Sequence, residues 1–490
     1  MSEVAIIGGG PAGLTAAYYL QALGSSHKPV ILESGDLVGG IARTDSYAGC
    51  RFDIGGHRFF TKVPEIERIW REVCGEDLLV RPRRSRIFYG GKFFDYPLKI
   101  TNALRQLGLY ESAFIVGSYV RWRIFPHADE STYQKWVTNR FGRRLFRLFF
   151  KSYTEKVWGI PCSEIRADWA MQRIKNLSLK KALWNAVSGA NDTTSLIEKF
   201  YYPRLGPGMM WEKMRDRILA RGGEVHMRSS VRSIARDGNR ITGIEVEHRG
   251  VDDGKVETRV VTADHYVSSM ALRDLILMLN PPPPPEVVEA ARRLQYRDFL
   301  IVVLILDRTA PFPDNWIYIH SQDVKVGRIQ NFGAWSPEML ANPDKASIGM
   351  EYFLNITDEL WNLPNGDLVA MAAAELEKIG LASAKAVVDG TVIRQPKAYP
   401  VYDGAYKEAL AIIKDWLSTL ENLQTVGRNG LHRYNNQDHS MLTAMLAARN
   451  ILGEKNDLWE VNLERSYHEE FQTKPALPRD IGELSKVRTQ

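Results

Sequence analysis

Residues Gly8-Gly9-Gly10-Pro11-Ala12-Gly13 form G-x-G-x-x-G directly after the strand-like run Val4 to Ile7 and at the mouth of an apolar helical stretch that continues to Leu23. A second strand-like run, Pro29 to Glu33, ends on an acid. This spacing suits dinucleotide binding. Gly8 permits a tight turn, Gly10 lets the backbone approach a pyrophosphate, and Gly13 lets helix and strand close together. Pro11 and Ala12 open a helix whose unpaired N–H groups face the phosphates, and Glu33 is placed to accept from ribose hydroxyls. The motif alone does not separate FAD from NAD.

Two further glycine clusters follow at once: Gly39-Gly40-Ile41-Ala42-Arg43 and Phe52-Asp53-Ile54-Gly55-Gly56-His57-Arg58-Phe59-Phe60. Both expose backbone. They resemble the amine oxidase, protoporphyrinogen oxidase and UDP-galactopyranose mutase group of flavoproteins, in which the Arg43-like position lies near the FAD pyrophosphate and the Gly55-Gly56 stretch passes the flavin. The resemblance implies FAD, held without a covalent link, with Val231 among the residues at the cofactor. The paired Gly90-Gly91 reads only as a turn.

Other segments narrow the likeness. Tyr153-Thr154-Glu155-Lys156-Val157-Trp158-Gly159 is similar to the K-G-Y-T-x-K-Q-W-G segment of UDP-galactopyranose mutases. Gly56-His57-Arg58-Phe59-Phe60-Thr61 is similar to their G-P-H-x-F-H-T stretch, whose histidine sits against the flavin. Gly427-Arg428-Asn429 through Arg433-Tyr434-Asn435-Asn436-Gln437-Asp438 resembles their G-R…Y-R-Y-x-x-M-D run, with Asp438 retained and Gln437 replacing methionine.

By resemblance, Arg173 and Arg297 hold a substrate diphosphate, Tyr399 and Tyr402 stand at the phosphates, Tyr153, Thr154 and Trp158 touch the substrate, and His57 tunes the flavin. The implied reaction is a mutase acting on a nucleotide-diphosphate sugar or related glycosyl diphosphate, with N5 of reduced flavin as nucleophile at the anomeric carbon. The alternative is an FAD-dependent oxidase or desaturase of the protoporphyrinogen oxidase or phytoene desaturase type. The chain's length, its hairpins between 224 and 262 and the segment Tyr201 to Gly208 favour that alternative.

These residues need elements to position them. Residues 4 to 33 read as one βαβ unit. Long aromatic and basic helical segments occupy 99 to 199, including Trp169 to Lys181. Glu224 to Val261 reads as hairpins broken by Asp237-Gly238 and Asp252-Asp253-Gly254. The prolines 281 to 285 read as a polyproline spacer. Phe299 to Leu306 reads as a buried strand, and Leu423 to Gly427 with Ser440 to Leu452 as a last βα unit. The expected fold is α/β. A Rossmann-type FAD-binding domain is assembled from 1–98, 200–262 and 423–455; 99–199 is a helical insertion, 263–422 a mixed-sheet substrate domain and 456–490 a C-terminal tail.

Composition excludes disordered and fibrous classes. Of 490 residues, 44% are hydrophobic and 25% charged, with a net charge of +6. That surplus fits an anionic small-molecule substrate, and NAD(P)H or another electron donor is a further expected partner. The basic stretches Arg81 to Arg86 and Arg140 to Arg147 carry no nucleic-acid motif, so no nucleic-acid partner is expected. The second stretch leaves peripheral membrane contact open, although no run is long enough to span a bilayer. Cys50, Cys74 and Cys162 lack metal or redox-pair spacing, so no metal is expected. With no signal sequence, the reading is a cytoplasmic enzyme of unknown oligomeric state.

Overall fold

Val4, Ala5, Ile6 and Ile7 are all buried, because the strand Glu3–Ile7 lies inside a parallel sheet covered on both faces. The computed structural model describes residues 2–96, 106–167, 199–250, 254–309 and 311–462. Arg173, the helical reading of Trp169 to Lys181 and the tail beyond 462 lie outside them. Five parallel strands run in the order Leu423–Thr425, His265–Ser268, Glu3–Ile7, Lys28–Leu32 and Glu224–His226. Val4 and Ile6 pack on one face against the helices Pro11–Ala22, Gly208–Ala220 and Gln437–Ile451. Ala5 and Ile7 pack on the other against Leu272–Leu277, Pro285–Arg293 and Tyr406–Leu417.

A seven-stranded sheet forms the second half. Its longest fully buried strand, Tyr296–Leu306, lies next to the edge strand Val387–Pro400 and pairs antiparallel with both it and Ala346–Leu354. The expected hairpins are present as the antiparallel strands Ser229–Asp237, Arg240–Arg249 and Val256–Val261. Gly90 and Gly91, both at positive φ, form the turn between Ser85–Tyr89 and Lys92–Asp95. The helical insertion runs through Leu109–Ile124 and Tyr133–Leu145, then a π-helical turn, Phe146–Lys151, into Ser152–Trp158. Lys156 ties this last helix to the large sheet by donating to the carbonyls of Ser321, Val324 and Val326 at 2.8, 2.9 and 3.0 Å.

The halves interleave more than the expected boundaries allow. His265–Ser268, read as part of 263–422, sits beside Glu3–Ile7 in the parallel sheet. Ser85–Tyr89 and Lys92–Asp95, read as part of 1–98, extend the seven-stranded sheet through parallel pairing with Trp316–Ile319. Glu224–His226 is no hairpin strand but the edge of the parallel sheet. Such pairings join residues far apart in sequence, which local patterning does not report. The proline run is likewise not a free spacer. Pro285 begins a helix, where its missing N–H costs nothing, and Arg236 binds the carbonyls of Pro281 and Pro282 at 2.8 and 2.9 Å.

A buried acid ties the loop Gly55-Gly56-His57 to this frame. Asp53 ends the strand Cys50–Asp53 and accepts from the Tyr202 hydroxyl at 2.6 Å and from Thr44 Oγ1 at 2.8 Å. Thr44 in turn accepts from the Gly208 N–H at 2.9 Å. Burial pushes the Asp53 carboxyl up to about 7 from 3.8, against the pull of its two hydroxyl donors. Folding raises this group's pKa, so its contribution is complete below the unfolded value and is lost as pH climbs through about 7. Denaturant midpoints are therefore expected to fall between about pH 4 and pH 7, and Asp53→Asn to flatten that limb. An Asp53→Asn protein whose midpoint tracks the wild type across the whole range would remove Asp53 as the source.

Candidate functional site

An elongated groove of ≈ 640 Å³ runs over the ends of the parallel strands, from Glu33 to His57 and Gln437. Its floor is the first glycine turn. Gly8 stands at φ +101°, and a Cβ at Gly13 would lie 1.9 Å from the Gly8 carbonyl oxygen, so strand and helix meet only without that side chain. Gly10 differs. The nearest atom to a Cβ there is 3.7 Å away, so the protein tolerates bulk and the glycine serves the groove. The second cluster docks on the first through the Gly39 N–H, which donates to Gly9 O at 2.8 Å. At the near end, the Glu33 carboxylate is held by the N–H groups of Gly9 and Gly35, both at 2.7 Å.

Two helix N-termini face the groove. Pro11–Ala22 has no side-chain cap, leaving its first-turn donors for a ligand. Gln437–Ile451 begins in a capping box made by Asn436 and His439, with Asp438 buried in its first turn. Gly427, at φ +84°, rests against Ala12 and joins this helix to the first glycine turn. Val231 lines the groove, and Gly40 and Arg43 stand between its two ends.

At the far end three cations converge on His57. Arg43 donates to Gly40 O at 3.0 Å and to Gln395 Oε1 at 2.8 Å. Arg428 donates to Asn435 O at 2.9 Å and lies 4.9 Å from the Tyr434 ring. Arg328, whose guanidinium reaches 3.6 Å from where a Cβ on Gly55 would be, is the third. Enclosure first, then the charges of Arg428, Arg328 and Arg43, push the His57 imidazole down to about 3, against the opposing pull of its Ile54 partner. The ring is therefore neutral at neutral pH. Its Nε2–H donates to Ile54 O at 2.9 Å, because a carbonyl can only accept, and Nδ1 is left as an acceptor. Gln437 Nε2 donates to His57 O at 3.1 Å, which fixes the loop to the C-terminal helix.

Arg328 was not among the residues singled out from the sequence, and it stands beside Gly55 and His57. It donates to Glu351 Oε2 at 2.5 Å, and Gln330 Nε2 donates to Glu351 Oε1 at 2.8 Å. Burial is the largest single effect and works against the Arg328 charge, but Glu351 together with Tyr153, Tyr399 and Tyr318 outweighs it and raises the guanidinium's pKa. Tyr153, Tyr318 and Tyr399 lie within electrostatic reach of Arg328. Burial raises the Tyr153 and Tyr399 phenols, so both stay protonated and can donate. Tyr399 stacks on Tyr434 at 5.5 Å, and Tyr153 on His320 at 4.9 Å. No sequence pattern distinguishes Gly327-Arg328-Ile329 from any strand arginine; only pairing of Arg328–Asn331 with Ala346–Leu354 sets it opposite Glu351.

Other expected site residues are placed differently. Arg297 is engaged by the protein: Nε donates to Val157 O at 3.2 Å and Nη2 to Phe353 O at 2.6 Å, while Nη1 lies 3.9 Å from Asp358. A Cβ at Gly159 would come within 2.5 Å of its Cζ. In this geometry Arg297 pins the turn after Trp158. Thr154 is buried and donates to the Tyr133 hydroxyl at 3.1 Å, away from the groove. Trp158 stacks 6.4 Å from Tyr402, whose hydroxyl accepts from the Tyr434 N–H at 2.6 Å. These two support the wall that carries Tyr434. Among the described residues no His, Cys, Asp and Glu group could hold a metal ion, and no helix is long and apolar enough to cross a membrane.

A dinucleotide fits this groove on the protein's own terms. Gly10 presents no side chain to it, the first helix offers uncapped donors, and the buried Gln437 Oε1 has no protein partner. The fold and groove define a two-part dinucleotide-binding protein. The chain matches the flavin containing amine oxidoreductase family over residues 11–409 and belongs to it; the enzyme's cofactor is FAD. It is 38% identical to the 15-cis-phytoene desaturase of Narcissus pseudonarcissus over 102 residues, which cover 19% of this chain and 18% of that one. The desaturase of Glycine max is 26% identical over 308 residues, covering 56% of this chain and 49% of the relative. The matches thus span between about a fifth and a half of the curated relatives' length. Among solved structures, reduced UDP-galactopyranose mutase superposes with a TM-score of 0.81 at 20% identity, covering 94% of this chain and 98% of that one. The fold is that of the mutase.

Two glycine substitutions separate packing from ligand binding. Gly10→Val is expected to fold yet purify colourless. Displacing one or two pyrophosphate contacts of roughly 1.5 to 3 kcal/mol each should weaken FAD by at least about tenfold. Gly13→Val, facing the Gly8 carbonyl, is expected to fail in folding itself. Flavin absorbance after desalting and circular dichroism together read both outcomes, and a yellow Gly10→Val protein would move the pyrophosphate elsewhere.

Proposed function

We propose that this FAD enzyme is a mutase acting on a nucleotide-diphosphate sugar or a related glycosyl diphosphate. The observation that carries the reading is Arg328, half-buried beside Gly55 with the protonated phenols of Tyr153 and Tyr399 around it. A hydrocarbon substrate has no use for a fixed guanidinium among hydroxyl donors, whereas a leaving diphosphate needs both. FAD, when bound and reduced, supplies a nucleophilic nitrogen, N5, for the anomeric carbon.

The chain's own residues do the rest. Arg328, oriented by Glu351 and Gln330, stabilises charge as it develops on the diphosphate, in the role first read for Arg297. Arg173 is the second arginine of the proposed clamp. Tyr153 and Tyr399 donate to phosphate oxygens. Arg43 and Arg428 hold the cofactor's phosphates, and His57 stays neutral beside the flavin, offering an acceptor at Nδ1. Arg297 acts through the Trp158-Gly159 turn as a positioning residue. The second reading, an oxidase or desaturase, is favoured by the two desaturase relatives and requires hydride transfer from substrate instead.

Turnover on a panel of nucleotide sugars is expected only with chemically reduced enzyme, giving ring isomers with no net redox change. Bleaching of oxidised flavin by an apolar or amine substrate, with no isomerisation of any sugar, would establish the second reading in its place. Within the first reading, Arg328→Lys keeps a charge against Glu351 and loses the planar fork. It should retain FAD and lose roughly ten- to a hundredfold in kcat/KM, at about 1.4 kcal/mol per decade. Arg297→Lys should lower thermal stability more than rate. An unchanged rate in the Arg328→Lys enzyme would take the diphosphate away from this arginine.

A further inference from the structure

The helix Leu109–Ile124 has the reverse of a surface helix's polarity. Ile115 is its only fully buried residue among the sixteen. Its inward side is fixed. Gly142, at φ +80°, approaches so closely that a Cβ would lie 2.8 Å from the Tyr119 nitrogen. Ser118 Oγ accepts from the Arg144 N–H at 3.1 Å, and the Arg144 guanidinium grips Glu111 through two bonds of 2.5 and 2.7 Å. With Glu111, Ser118 and Tyr119 turned inward, helical spacing puts Tyr110, Phe114, Val120 and Ile124 outward. Leu109 is 93% exposed, Tyr110 78% and Ile124 63%, and Phe125 beyond the helix end is exposed as well. Isolated apolar side chains are ordinary on a surface; a contiguous stripe of them is not.

A basic rim flanks the stripe. Arg121, Arg143, Arg144 and Arg147 line a groove of ≈ 680 Å³ beside Phe114 and Trp122. A neighbouring hollow of ≈ 290 Å³ adds Lys151. Among the described residues no ion pair engages Arg121, Arg123, Arg143 or Arg147. The carboxylates Glu111, Asp129 and Glu130 are occupied by Arg144, Lys135 and Arg140.

We propose that this face docks on the surface of an anionic lipid bilayer. The stripe enters the boundary between headgroups and acyl chains while the arginines meet lipid phosphates. A nucleic acid would satisfy the arginines and leave Leu109, Tyr110, Phe114 and Ile124 in water. A second copy of this chain would bury the stripe but bring two arginine rims together. Only an anionic bilayer complements both features.

The test is sedimentation of the full-length, FAD-loaded protein with vesicles. Phosphatidylcholine vesicles containing a quarter phosphatidylglycerol should pellet it, pure phosphatidylcholine should do so weakly, and raising salt from about 0.1 to 0.5 M should release it. Phe114→Ser with Ile124→Ser should reduce partition by about tenfold or more. Arg143→Gln with Arg147→Gln should reduce it by roughly fivefold per charge. Both pairs should keep the flavin colour, and Val388→Ser, exposed elsewhere, should change nothing. The proposal is overturned by no pelleting with the anionic vesicles, by pelleting indifferent to both pairs, or by a dimer in solution that Phe114→Ser dissociates.

Discussion

Everything at the cofactor groove hangs on the contact between Gly13 and the carbonyl of Gly8. With a Cβ 1.9 Å from that oxygen, the helix Pro11–Ala22 would have to lift off its strand. Without one, the helix presses down and its first-turn N–H groups converge on the space above the sheet. The other parts dock onto this corner in turn. Gly39 binds the Gly9 carbonyl, Glu33 closes on the Gly9 N–H, and Gly427 rests on Ala12. Each of these contacts is backbone or near-backbone, which explains why glycines recur where the chain returns to the site.

At the other end the governing quantity is charge. Arg43, Arg328 and Arg428 crowd a neutral histidine, and a buried carboxylate answers only Arg328 directly. Burying that ion pair costs several kcal/mol per ion before attraction repays it, so it is weak support for the fold. Its geometric effect is plain: Glu351, itself fixed by Gln330, holds the guanidinium in one plane. A surplus of positive charge at low dielectric suits a site that receives an anion, and the phenols around it add donors without adding charge.

The sequence was most informative where function is local. The βαβ unit, its glycines and Glu33 follow one another within thirty-odd residues and were legible as one unit. The strand Tyr296–Leu306 was legible because an unbroken apolar run has nowhere to go but the interior. What stayed hidden depends on distant pairing. Arg328 meets Glu351 across adjacent strands, and nothing in its neighbours marks it as different from Arg297, which matched a motif but spends its donors on Val157 and Phe353. The proline run misled for a related reason: a pattern that breaks regular structure was taken for a spacer, whereas its carbonyls are ligands of Arg236. The inverted helix Leu109–Ile124 could not be recognised without knowing which of its sides Gly142 and Arg144 occupy.

The parallel sheet draws its five strands from positions spread between Glu3 and Thr425. A ribosome emits these strands in the order 3, 28, 224, 265 and 423, while in space Leu423–Thr425 lies at one edge and Glu224–His226 at the other. The glycine turn is made long before its lid, Gly427 with the helix Gln437–Ile451. A nascent chain thus carries an open cofactor cleft until that helix has emerged, and flavin can be enclosed only then.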